Sequence, residues 1–493
     1  MSVSRDKGNQ CYDWYHYLWH LIAIGAVKVA RDGGDERYIL TSDAWDKLGT
    51  PEPGMGETIA QIDTGVNGVH PNLHPRVLEA ISFASHPYGM SYVTPKGAGL
   101  HCGPEEQLAD SLITEPAWKM AESLAGSDMQ QRSLLENLKS GRGVRQNVVQ
   151  ISRMRYSAHG TSCAGLIVGA PVVGSDAEGP IPYWGVAPGA KLLPIEVSAQ
   201  PTAEQLILAF LCAWGREVSV IHFPREAPDP WRAPAYKQGY GDSRYTSINH
   251  AKPAWDFFEK LFEAVSQDIP VVCAAGNDGL NRVIYPANKA GEVNGVISVG
   301  SVTYLANRSA YSNYDGDPGD NSLTIVAPSD DEEAYTRHQF RLDREAPCWR
   351  DHNFYVYGNT IKKVAYASQG LLTVDIPGMH GYSEGFLTGT APDDAENADR
   401  AALYTVFGGT SGASAIVAGA VALLQAKYRG STKKLLNGSQ AKAKVVSCGV
   451  SDVSWPWLSG NVRLKPDAFN GEKQLEFRQQ FGAGMLNLNL LLQ

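Results

Sequence analysis

The run Gly408-Gly409-Thr410-Ser411-Gly412-Ala413-Ser414-Ala415-Ile416-Val417-Ala418-Gly419-Ala420-Val421-Ala422-Leu423-Leu424 begins with tight, small residues and passes into an apolar helical pattern, with Ser411 at the junction. A serine there sits at a helix N-terminus, where unpaired N–H groups and the helix dipole favour developing negative charge. That suits a nucleophile whose attack creates an oxyanion. Taken alone, the stretch is equally a capping serine on a buried helix, because serine is a preferred N-cap. The rest of the chain has to decide between the two.

Three other short segments carry polar residues at the ends of apolar runs. Thr58-Ile59-Ala60-Gln61-Ile62 reads as a strand that ends in Asp63-Thr64-Gly65-Val66. Open α/β sheets place functional residues at such strand ends, although an Asp before a Gly turn also serves as a cap. Ser157-Ala158-His159-Gly160-Thr161-Ser162-Cys163 opens a helix of small residues, with Gly160 and Gly165 permitting close backbone approach. Pro270-Val271-Val272-Cys273-Ala274 is a strand that delivers Ala275-Gly276-Asn277-Asp278-Gly279.

Between these segments, apolar β runs alternate with helical patterns. Lys191–Val197, Val218–Phe223, Val296–Val299 and Thr324–Val326 read as strands, and Ala203–Trp214 and Trp255–Ser266 as helices. That alternation predicts an α/β fold with three layers, a mostly parallel central sheet covered by helices on both faces. Residues 84–156 and 330–405 break the rhythm and read as two large insertions. The first holds a polar helical stretch from Glu115 to Lys139, the second a β-like stretch from 353 to 375. Residues 1–56 form an N-terminal segment with a predicted helix over Tyr15–Val29 and a short strand near Arg37–Thr41; 57–493 is the main domain.

The totals exclude several classes. A net charge of −9 argues against general nucleic-acid binding, and no run of eighteen apolar residues predicts a membrane span. Seven widely spaced cysteines form no metal-binding pair and several lie in apolar runs, which fits reduced thiols and a reducing compartment.

Asp63, His159, Asn277 and Ser411 fall in an order that makes chemical sense. A nucleophilic serine needs a base, the base needs a carboxylate to fix its tautomer, and the oxyanion needs donors. With Asp63-Thr64-Gly65, His159-Gly160-Thr161, Gly185-Val186-Ala187-Pro188-Gly189, Ala275-Gly276-Asn277 and Gly409-Thr410-Ser411 in this order, the chain resembles the subtilisin-like serine proteases, the subtilases. The resemblance implies their three-layer fold and a serine endopeptidase. It makes Ser411 the nucleophile, His159 the general base and then acid, and Asp63 the residue that orients His159. The Asn277 amide and the Ser411 N–H would form the oxyanion hole.

The chain departs from the family at the strand that pairs with substrate. It reads His222-Phe223-Pro224 where relatives carry Ser-Leu-Gly. Pro224 lacks an N–H for a bound peptide, and Phe223 is expected to narrow a pocket that glycine leaves open, unless the substrate edge lies elsewhere. Ala275 and Gly276 complete the expected substrate contacts. The chemistry implies no cofactor and no catalytic metal; the acidic run Asp315–Asn321 admits a structural Ca2+ or a solvated loop. Cys163, one helical turn beyond His159, reads as a small buried hydrophobe or as a thiol beside the site, and mercurials are expected to inhibit.

Only about 56 residues precede the first core strand, too few for a signal and a folded prodomain. The expected protein is therefore cytoplasmic, restrained by its N-terminal segment, its insertions or a protein partner, and acting on a protein or peptide substrate. The loop 224–252 and the insertion 84–156 are the expected docking surfaces. The contrasting reading, from another class, is a dormant subtilase-fold binding or regulatory module.

Overall fold

The computed structural model describes residues 2–3, 18–31, 38–83, 91–93, 100–101, 106–108, 112–141, 143–146, 150–151, 158–171, 183–198, 201–227, 229, 252–317, 319–331, 370–376, 381–382, 403–464, 466 and 475–493. Residues 230–251 of the loop 224–252 and residues 353–369 of the β-like stretch 353–375 lie outside them.

The frame is a 9-stranded sheet. Its strands are β1 (Thr58–Asp63), β2 (Ile81–Ser82), β3 (Glu106–Leu108), β4 (Gly143–Gln146), β5 (Lys191–Glu196), β6 (Val220–Phe223), β7 (Val271–Ala274), β8 (Val296–Val302) and β9 (Ile325–Pro328). They lie in the order β9-β8-β7-β6-β1-β5-β2-β4-β3. Neighbours from β9 through β2 are parallel; β4 and β3 add an antiparallel edge. That edge comes from the first insertion.

The central strands β1 and β5 to β9 are mainly apolar because both faces are covered. Ile59, Val220 and Val272 enter one core, packed under α3 (His159–Val168) and α6 (Gly409–Thr432). Their neighbours Ala60, Ile221, Val271 and Cys273 enter a second core, under α4 (Ala203–Trp214) and α5 (Lys252–Asp268). The period-2 alternation thus divides one continuous apolar run between two hydrophobic layers. In the second layer Phe210 of α4 meets Phe258 and Phe262 of α5 with ring centroids at 5.6 and 5.4 Å. The helix α4 is started by a capping box, Thr202 with Gln205.

The helix α6 is long and apolar enough to cross a membrane, but its apolar window is wholly buried inside the protein. Its small residues serve close packing: a Cβ on Gly419 would stand 2.7 Å from the Val186 side chain.

Two sequence expectations need correction. The N-terminal helix is only Trp19–Ala23, because Gly25 takes φ +77° and the alternating Val27 and Val29 form a strand, Val27–Arg31, paired antiparallel with Tyr38–Ser42. The polar helix of the first insertion is two helices, α1 (Glu115–Ala125) and α2 (Met129–Gly141). Gly126 breaks it at φ +58°, and the Asp128 carboxylate accepts the Gln130 and Gln131 N–H groups to start the second.

Described residues of the N-terminal segment are part of the first core. Trp19 is fully buried, meets Tyr304 and Trp457 edge-on at 5.3 and 6.0 Å, and donates its indole N–H to the Gly370 carbonyl at 2.9 Å. From the second insertion, β10 (Leu371–Val374) and β11 (Tyr404–Phe407) form an antiparallel pair against α3.

Candidate active site

The sheet order turns at β1: β5 and β2 lie on one side of it, β6 to β9 on the other. The mouth of such a turn, at the carboxyl ends of the strands, is where open α/β sheets bind ligands. Asp63 is the last residue of β1 and is 1% exposed.

His159 opens α3 and its Nδ1 lies 2.7 Å from Asp63 Oδ2 and 2.9 Å from Oδ1. The approach of α3 to the end of β1 demands glycine at position 160, since a Cβ there would stand 2.1 Å from the Gly65 carbonyl oxygen. Three hydrogen bonds tie the elements together: Gln61 Nε2 to the Gly160 carbonyl, the Gly160 N–H to Thr64 Oγ1, and the Asn67 N–H to Thr161 Oγ1. Phe407 of β11 meets the imidazole edge-on at 5.5 Å.

Burial alone raises the Asp63 carboxyl, but the facing His159, with Arg225 and the Thr64 N–H, outweighs it and holds Asp63 below the usual carboxylate range.

Ser411 lies in the first turn of α6 and is 6% exposed. It is not the cap: the helix starts at Gly409 and the N-cap is Gly408, without a side-chain cap bond. Ser411 Oγ instead donates to the Pro224 carbonyl at 3.2 Å. Gly409, at φ +74°, donates its N–H to Tyr311 Oη, and a Cβ on Gly408 would collide with the Asp330 carboxylate. The tight Gly-Gly entry is therefore required by the packing beneath it.

Asn277 follows β7. Its Oδ1 accepts both the Thr410 N–H at 2.8 Å and the Thr410 hydroxyl at 2.7 Å, and Thr410 Oγ1 also accepts the Gly276 N–H at 3.1 Å. Thr410 thereby fixes the amide so that Oδ1 turns to α6, which assigns the donor face to Nδ2.

The subtilase family profile matches residues 54–449. The chain belongs to the subtilase family. Comparison with curated proteins finds no match. Among solved structures, a protease from Pseudoalteromonas arctica is 18% identical, covers 91% of each chain and has a TM-score of 0.44. A lanthipeptide protease is 16% identical over 97% of this chain and 93% of that one, with a TM-score of 0.47. Fervidolysin from Fervidobacterium pennivorans, a keratinolytic enzyme related to subtilisin, is 17% identical over 99% of this chain and 49% of its own, with a TM-score of 0.46.

The expected substrate strand of this subtilase is arranged differently from its sequence reading. Phe223 does not narrow a cleft: it is fully buried in the second core, 5.9 Å from the Phe210 ring. His222 points to the opposite layer, where its Nε2 donates to Ser414 Oγ at 3.0 Å and Ser414 donates to the Ser411 carbonyl at 2.9 Å. Burial pushes His222 down to about 3, so it stays neutral. Both side chains are consumed by the alternation of β6. What reaches Ser411 is the Pro224 carbonyl, with Arg225 and Glu226 beyond it. Ala275 and Gly276 are buried, Ala275 donating its N–H to the Val299 carbonyl and Gly276, at φ +110°, to Thr410.

Sequence reasoning missed Thr410 and Arg225. Thr410 was visible only as part of Gly-Thr-Ser; Arg225 had a signal, a charge directly after a buried strand. Cys163 is fully buried, and its thiol is pushed up by burial and by Asp63. Ligand atoms of Asp63, His159 and Cys163 lie within 4.8 Å of one another. A thiol held protonated and the Arg225 guanidinium 3.8 Å from Asp63 both disfavour a cation there. In the acidic run, Asp315 accepts the Leu323 N–H and Asn321 accepts from Arg478.

Proposed function

We propose that this subtilisin-like serine protease cleaves peptide bonds through an acyl-enzyme formed on Ser411. The observation that carries the reading is the Asp63–His159 pair at 2.7 Å, delivered to the same strand-end mouth as Ser411 and Asn277 by β1, α3, α6 and β7. With Nδ1–H donated to Asp63, the imidazole presents Nε2 as the base. At rest Ser411 donates to the Pro224 carbonyl, so attack requires its hydroxyl to turn toward His159. His159 takes the hydroxyl proton as Oγ bonds to the scissile carbonyl. The resulting oxyanion is held by the Ser411 N–H and Asn277 Nδ2. Collapse breaks the C–N bond as His159 returns the proton to the leaving amine, and water then hydrolyses the ester by the same route.

Labelling with a fluorophosphonate tests this: wild-type protein reacts and S411A does not. Equal labelling of both, or none in folded wild-type protein, refutes it.

The same reading places the enzyme in a reducing, cytoplasmic setting, supported by the free buried thiols of Cys163, Cys212, Cys273 and Cys448. Control is assigned to the insertions or a protein partner rather than to release of the N-terminal segment, because its Trp19, Leu21, Ile24, Ala44 and Leu48 build the first core.

A further inference from the structure

Arg225 puts a charge where peptide-bond chemistry does not call for one. It follows Pro224, whose carbonyl accepts from Ser411, and its Nη1 lies 3.8 Å from Asp63 Oδ1. Its side chain is 14% exposed, so water screens it poorly. Both oxygens of Asp63 already receive His159 Nδ1. Among the described residues, Arg225 is the only Lys or Arg within ion-pair reach of this carboxylate.

We propose that Arg225 is a positioning residue that acts through Asp63, holding a fixed positive charge beside the Asp63–His159 pair and so setting where the acid limb of the reaction falls. The proposal rests on the catalytic reading of Ser411, His159 and Asp63.

The argument is electrostatic. A carboxylate shared between a guanidinium and an imidazole stabilises an imidazolium less than one facing the imidazole alone, and the guanidinium repels that cation directly. Among the described residues, the other titratable groups facing the pair do not supply this charge. Cys163 on α3 and Tyr382 beyond β10 are neutral, both pushed up by burial, and His222 on β6 is neutral by burial. Asp375, which accepts the Ile376 and Tyr382 N–H groups, is a further carboxylate whose charge reaches Tyr382.

The test is kcat/KM against pH on an unstructured protein substrate, for wild type, R225Q and R225K, with S411A as the blank. R225Q is expected to move the acid limb upward by about half to one pH unit. R225K, which keeps the charge but not the planar fork, is expected to stay within about 0.2 unit of wild type. An R225Q limb at the wild-type position, with the rate lowered evenly at every pH, overturns the proposal and leaves Arg225 a packing role. An R225K limb displaced as far as that of R225Q overturns it too. If R225Q fails to fold, R225M keeps the aliphatic stem and gives the same reading. Fluorophosphonate labelling of wild type against S411A reports separately on the catalytic reading.

Discussion

Acid should unfold this protein before most of its carboxylates are protonated. Among the described residues, three fully buried histidines are held neutral in the fold: His20 and His222 are pushed down to about 3 and His70 to about 4, each chiefly by burial. Among the described residues His20 has no partner on either ring nitrogen, and His70 uses Nδ1 to accept the Asn72 N–H and Nε2 to donate to the Leu403 carbonyl. None can accept a proton without breaking a bond or burying a bare charge. The unfolded chain protonates each near the ordinary value, about 6.5, so below that pH it binds more protons than the folded chain and stability falls. Between pH 7 and pH 5 the loss is about 2 kcal/mol for each histidine, about 6 in all. Asp315, raised to about 6 by burial, acts in the opposite sense and returns about 1 kcal/mol over the same range. A net loss of about 5 kcal/mol rivals the whole stability of many domains. Urea unfolding of S411A, which cannot digest itself, followed by tryptophan fluorescence at pH 7, 6 and 5, measures it. His20→Leu removes a ring without hydrogen bonds among the described residues and should lower the pH dependence by about two fifths while leaving stability at pH 7 equal or higher. A urea midpoint that does not move between pH 7 and 5, or a His20→Leu protein as acid-labile as its parent, would refute the reasoning.

Other outcomes follow from the same geometry. Asn277→Ala should lower kcat by about 10²–10³ with little change in KM, the range known for the corresponding loss in subtilisin, as measured by steady-state kinetics on a peptide substrate. Gly160→Ala forces a Cβ to within 2.1 Å of the Gly65 oxygen and separates His159 from Asp63, so the melting temperature and activity should fall together. A thiol as buried as Cys163 should react with mercurials slowly, with loss of activity over minutes to hours, and Cys163→Ser should abolish that loss. Inactivation of Cys163→Ser at the parent rate would place the sensitive thiol elsewhere.

The order of Asp63, His159, Asn277 and Ser411, each at the end of an apolar strand or the start of a small-residue helix, was legible because local pattern and chemistry coincide there. So was the sheet: strands apolar on both faces occur only where two layers cover them. Residue identity could not reveal which way β6 turns its side chains. His222 and Phe223 read as cleft residues until strand alternation, fixed by pairing with β1 and β7, sent one beneath α6 and the other into the Phe210 cluster. Nor could it separate a capping serine from a nucleophile, since that depends on where Gly408 and Gly409 begin the helix over Asp330. Periodicity along the chain determined the fold class, and the ordered short motifs, through their resemblance to the subtilases, pointed to the candidate chemistry. The tertiary structure alone decided which groups face the Asp63–His159 pair, because the Pro224 carbonyl and Arg225 come within reach of Ser411 and Asp63 only through contacts between residues far apart in sequence.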